Sequence, residues 1–323
     1  MINHFNVFAS FHNSKLNEKE KTISSIISKG WLDYRNRIQI NQTVDGIDFQ
    51  KIMTAIISDI PELFYVDLSK VSVSWNSKKI NIEADFVYPL SFCERIKTKV
   101  WETIFSFQTK NKSKSDIEQL VNSFLKENIK YGIHDNADAA YSIKGVFYDG
   151  LAVCDGFAKS FKLLCDAFWI PCIYVQGYAS NDTVAWERHA WNIVNINNKN
   201  YHVDSTWEAT TANGYGIYLN ASDGLISKNH RWDKSLYPKC NFQGLFERNL
   251  VRASTCQEID NLLIRFNKRE IDFVCCQVPW SFESTHDVMD FISNRFRIIG
   301  LSFRDSFQTD YFSTLNCFCL SRI

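Results

Sequence analysis

The stretch VCDGFAKSFKLLCDAF, residues 153–168, opens on a cysteine, an aspartate and a glycine and then turns apolar at helical spacing. Phe157, Phe161, Leu164, Cys165 and Phe168 recur as one stripe, with Lys159, Lys162 and Asp166 on other faces. The pattern predicts a packed helix that begins at about Cys154. A thiol at that point meets backbone N–H groups without helical partners and the positive end of the helix dipole. Both favour the thiolate, which is the reactive form. Gly156 in the first turn leaves space beside the sulfur for a substrate. Cys165 and Cys172 stand in apolar runs and read as core.

A thiolate nucleophile needs a base and a group that orients the base. HAWNIVNINNKNYHVDSTW, residues 189–207, offers both. Two alternating runs flank Asn197-Asn198, a dipeptide that tolerates the positive φ angles of a tight hairpin. With that turn, Ile196 faces Lys199 and Trp191 faces Asp204. His189 then shares a face with Asp204, as a diagonal neighbour within reach of its carboxylate. The constellation is Cys154 as nucleophile, His189 as general base and Asp204 as orienter. His202 has the same parity as Asp204 and is the competing base. Trp191 and Trp207 read as cleft walls or core. The Tyr148 hydroxyl is a candidate oxyanion donor, although packing weighs more for it and the Cys154 N–H is the better donor.

Composition narrows the partners. The chain has 323 residues, enough for about two domains, with 45% hydrophobic and 15% aromatic residues. Lysine plus arginine equals aspartate plus glutamate at 36 each, so nothing points to nucleic acid or an anionic membrane. No apolar run is long enough for a membrane span, and the first residues lack the pattern of a signal peptide. Ten scattered cysteines form no CxxC pair. They are expected as free thiols in a reducing cytoplasm, with no metal site and no cofactor. The sequons at Asn41, Asn111, Asn181 and Asn220 are discounted for the same reason.

Three units are expected: an N-terminal α/β domain over 1–110, a catalytic domain over 111–245 and a small C-terminal α/β domain over 246–323. In the first, a helix stops at Gly30, RIQI is a strand, a helix breaks at Pro61, a hairpin turns at Asn76-Ser77 and a helix covers 91–107. The polar run 109–116 marks a boundary before an amphipathic helix capped by Ser115 and Glu118. Strands follow at CIYVQGYA, HAWNIVNI and NYHVDSTW. The last unit repeats the order helix, strand, helix, strand, strand, with RIIGLSF and FSTLNCFCLSR as its final strands. A degenerate duplication would explain the repeat; two unrelated pieces are the simpler reading.

The run from Val153 to Trp207 resembles the transglutaminase-like superfamily, especially its bacterial members. The similarity rests on Cys154, Gly156 and Ala158, on Ile170-Pro171, on Gly177, on His189 to Asn192, and on Asp204, Thr206 and Trp207. The resemblance implies an α+β, papain-like transglutaminase core, with the cysteine helix packed on an antiparallel sheet; the small α/β domains at its flanks are read from the sequence pattern alone. It implies a Cys–His–Asp triad at Cys154, His189 and Asp204. It also implies attack on a peptide or protein carboxamide through an acyl-thioester. Hydrolysis, as in a cysteine protease or amidase, is the expected outcome. The alternatives are amide formation with an amine acceptor and a catalytically silent binding module.

Overall fold

The structure, a computed structural model, describes residues 11–133, 137–181, 184–210, 215–302 and 306–322. The first ten residues, where no leader was expected, and Asn136 at the head of the Ala-rich segment lie outside the described residues.

In the first part the helix Glu18–Leu32 starts in a capping box, Asn17 accepting from the Glu20 N–H while Glu20 accepts from the Asn17 N–H. Gly30 does not end this helix. It lies inside, because a Cβ there would stand 2.5 Å from Ile38 Cδ1. Strands β1 (Arg37–Ile40), β2 (Val66–Trp75) and β3 (Ile80–Phe86) form an antiparallel sheet in the order β1-β3-β2. The hairpin closes Trp75 on Ile80, around the expected turn. The helix Phe49–Asp59 stops before Pro61, and the turn Pro61–Leu63 packs against the cysteine helix. The next helix, Leu90–Ser106, sends Ile96, Val100 and Ile104 into the core of the middle part.

The helix Lys114–Asn128 is capped by Ser113 and Asp116, not by Ser115 and Glu118. Glu118 is instead buried, and its carboxylate accepts from Asn220 Nδ2 at 2.9 Å. Strands β4 (Lys130–Tyr131) and β5 (Leu151–Ala152) pair in parallel and lead into the helix Cys154–Ala167. Phe157, Phe161 and Leu164 of that helix are fully buried, each contributing about 1.5–3 kcal/mol by removal from water. Lys162 and Asp166, placed on faces other than that stripe, are buried as well. Lys162 Nζ donates to Asp166 Oδ2 at 2.8 Å and to the Cys172 carbonyl at 2.9 Å, beneath the turn at Glu62.

The sheet beside this helix joins β6 (Cys172–Ala179), β7 (Glu187–Ile196), β8 (Lys199–Val203), β9 (Leu219–Ala221) and β10 (His230–Arg231). All neighbours are antiparallel, in the order β10-β6-β7-β8-β9. A cysteine helix on an antiparallel sheet, flanked by smaller helix–sheet units, makes the chain α+β. The segment DSTW is not strand beyond Asp204: Ser205–Thr210 is a short helix.

The last part contains β11 (Val251–Arg252), the helix Cys256–Asn267, β12 (Phe273–Gln277), the helix Thr285–Ile298, β13 (Phe307–Phe312) and β14 (Cys317–Arg322), with sheet order β11-β12-β14-β13. The strand expected over 297–303 is absent from its described residues, 297–302: the helix runs to Ile298 and the chain turns at Gly300, φ 69°. Leaving β11 aside, this unit and the first share the element order helix, strand, helix, strand, strand and the sheet order first-third-second. The register of β12 on β14 sets Cys275 opposite Cys319, and their sulfurs are bonded, contrary to the expectation of ten free thiols. The other eight cysteines are unbonded.

Candidate active site

Cys154 is the first residue of its helix, and Val153 before it offers no side-chain oxygen to the first-turn N–H groups. The thiol is partly exposed and packs beside Ala158, Tyr174 and Ala190. Segment 139–142 is pressed against this turn. A Cβ on Gly156 would lie 2.4 Å from the Ala140 carbonyl oxygen, so the glycine admits backbone, where open space for a substrate was expected.

The β7–β8 hairpin has the expected register. Ile196 pairs with Lys199, and Asn197 and Asn198 carry φ of 53° and 61°. Asp204 follows the last paired residue and caps the helix Ser205–Thr210: Oδ1 accepts from the N–H groups of Thr206 (3.0 Å) and Trp207 (3.1 Å). Its other oxygen, Oδ2, accepts from His189 Nε2 at 2.6 Å. Cys154 stands near enough to the His189 ring to raise its pKa, and Nδ1 is the nitrogen that Asp204 leaves unused.

Burial alone would lower the His189 pKa, but the Asp204 charge and hydrogen bond, with Cys154 beside them, outweigh it and hold it up at about 10. Burial would raise Asp204, but His189 and His230 outweigh it and keep the carboxyl well below the usual range. The pair is an imidazolium and a carboxylate.

The remaining expected residues divide. Trp207 lines a cleft of about 370 Å³ together with His189, Tyr131, Glu187, Arg188 and Thr210. Trp191 is buried behind, stacked on His189 with ring centres 6.0 Å apart. Its indole N–H donates to His202 Nδ1 at 3.0 Å, while His202 Nε2 donates to Asp223 at 2.8 Å. Both nitrogens of the fully buried His202 are thus engaged away from Cys154. Tyr148 is turned outward from the stretch Gly145–Asp149, onto Phe92 at 5.1 Å and Lys144 at 5.4 Å. The tyrosine in the cleft is Tyr131, which β4 sets opposite Ala152, two residues before Cys154. Burial and then Cys154 raise its pKa.

His230 was not anticipated. Its Nε2 lies 3.0 Å from the same Asp204 oxygen that His189 uses. His189, Asp204 and His230 have the donor types of a metal site, with ligand atoms within 4.8 Å of one another, but each is already hydrogen-bonded within the group.

A thiol, an imidazole and a carboxylate brought together at a helix start and a hairpin define a class of α+β domain. Residues 103–205 match the family model described as the transglutaminase-like superfamily. No curated protein matches the sequence. Among solved structures, a proposed cysteine protease from Cytophaga hutchinsonii is 16% identical over 42% of this chain and 61% of its own, with a TM-score of 0.28. A TGase is 14% identical over 74% and 66%, with a TM-score of 0.32. A proposed protease from Parabacteroides distasonis is 12% identical over 41% and 35%, with a TM-score of 0.26. The chain spans less than two thirds of the length of each, and these scores are too low to carry a functional argument. Among the described residues no helix is long and apolar enough to cross a membrane.

Proposed function

We propose that the protein is a cysteine-dependent enzyme that hydrolyses a peptide or protein carboxamide, with Cys154 as nucleophile, His189 as acid and base, and Asp204 as orienter. The observation that supports this reading is the 2.6 Å bond from His189 Nε2 to Asp204 Oδ2, beside a thiol at a helix start that is near enough to raise the His189 pKa. The Cys154 thiolate attacks the carbonyl carbon, and the carbonyl electrons move to oxygen, where the Cys154 N–H can donate. The imidazolium gives its proton to the departing amine as the C–N bond breaks, leaving a thioester. His189 then takes a proton from water, the hydroxide oxygen attacks the thioester, and the C–S bond breaks to release the acid. Trp207 and Tyr131 wall the cleft, and Glu187 and Arg188 offer charges of both signs to a peptide.

The division at about 110 and 245 belongs to the same proposal, with the flanking units binding or gating substrate and the helix Leu90–Ser106 packing across the first boundary. A cytoplasmic, bacterial setting is also proposed; the Cys275–Cys319 bond argues for an oxidising one, and thiol counting separates them. The function is tested by intact-mass analysis with a panel of glutamine-containing peptides. A thioester adduct on Cys154, absent in Cys154→Ala, supports the reading. Added methylamine tells the acceptor: an acid product means hydrolysis, an N-methylamide means transfer. Absence of any adduct, with Cys154 no more reactive than an ordinary thiol, would leave a binding module.

A further inference from the structure

Asp204 is held from four directions. Two backbone N–H groups fix Oδ1, and two imidazoles, His189 and His230, meet at Oδ2. An ionised carboxylate only accepts, so the Nε2 of His230 must carry a proton for the 3.0 Å contact to exist. The ring is fixed from behind. Its Nδ1 is 2.7 Å from the Asn229 side-chain amide, and that amide is 2.8 Å from the Tyr218 hydroxyl. His230, Asn229 and Tyr218 are all buried, and Trp191 and Trp207 stand 5.0 and 4.6 Å from the His230 ring. Burial lowers the His230 pKa, with Asp204 opposing it, so the ring is neutral. A neutral ring with its proton on Nε2 accepts at Nδ1. The Asn229 amide therefore turns its NH₂ to His230 and its oxygen to Tyr218, with the heavy atoms unmoved.

Resting on the proposed catalytic role of Cys154 and His189, we infer that His230 is a positioning residue for the reaction: its Nε2–H fixes the Asp204 oxygen that orients His189. Tyr218, Asn229 and His230 form a buried relay that ends on the carboxylate. Without its last donor, Oδ2 is free to rotate about the capped Oδ1, and His189 loses its fixed angle to the thiol.

Two substitutions separate this from packing. His230→Phe keeps a flat ring among the tryptophans and removes the donor. His230→Gln fills the space less well but carries an amide N–H near the position of Nε2. The readout is the iodoacetamide rate at Cys154 at neutral pH, which needs no substrate. Positioning predicts a fall of about tenfold or more in His230→Phe and a rate within about threefold of the parent in His230→Gln. Equal rates in parent and His230→Phe, or loss in His230→Gln with retention in His230→Phe, would overturn it. Nitrogen-15 spectra of the parent imidazoles add a check that needs no variant: the expected state of His230 is Nε2–H, and a bare Nε2 would overturn the inference. If the parent Cys154 is itself unreactive, the catalytic reading fails first, whatever the tautomer of His230.

Discussion

Asp204 meets His189 through one carboxylate oxygen, 2.6 Å from Nε2, while its other oxygen caps the helix Ser205–Thr210. One residue thus ends a hairpin, starts a helix and sets the angle of an imidazole. The capping bonds on Oδ1 and the His230 contact on Oδ2 together stop the carboxylate from following His189, so the imidazole must adapt to it.

Asp204→Asn keeps this shape and removes the charge. The amide can also hold the wrong tautomer of His189. The expected result is a fall in acylation rate of about two to four decades with the fold retained. The pH profile should change with it. In the parent, activity requires the imidazolium and is lost as pH rises through about 10, the value Asp204 imposes on His189 against the lowering effect of burial. Without the charge, burial dominates, and the alkaline limb should move to lower pH. An unmoved limb would mean that another group titrates there.

His202→Ala should leave the iodoacetamide rate of Cys154 within about threefold of the parent, because His202 is bonded to Trp191 and Asp223. Its effect should be on stability, by about 2–4 kcal/mol, from a cavity and an orphaned buried indole N–H. Loss of Cys154 reactivity with normal stability would return His202 to the role of base.

Gly156→Ala should cost about 1–3 kcal/mol of stability, since the added Cβ meets the Ala140 backbone. Denaturant midpoints measure it. A stable variant that has lost only substrate turnover would favour the alternative, space for the substrate.

Counting thiols in denaturant checks the C-terminal sheet. Eight should react before reduction and ten after it. Ten before reduction would remove the Cys275–Cys319 bond and favour a reducing compartment.

How far the sequence reached follows from the range of each signal. The His189–Asp204 relation is local: two alternating runs and an Asn-Asn turn fix parity and register, and both appear in the structure. The start of the Cys154 helix is equally local, a change of period after a short strand. His230 left no such trace, because a two-residue strand has no periodicity and its partner, Asp204, is 26 residues away. Lys162 and Asp166 lay off the apolar stripe, and their burial was not legible because what covers them, the turn at Glu62, comes from another unit. Gly30 looked like a stop because a close approach by Ile38 and a helix end both select glycine. Asp204-Ser-Thr-Trp read as strand by parity, although an aspartate followed by Ser-Thr is also a capping signal.

The chain carries its own control for the central claim. Cys154 and Cys256 each begin a helix, and Cys256 is the more exposed. Helix position and exposure alone would make Cys256 the faster thiol. The measurement is substoichiometric iodoacetamide near neutral pH, with peptide mapping, on the parent and on His189→Ala. The account predicts that Cys154 labels first in the parent and loses that lead in His189→Ala, while Cys256 is unchanged. Labelling of Cys256 with Cys154 untouched, or a Cys154 rate indifferent to His189, would contradict it.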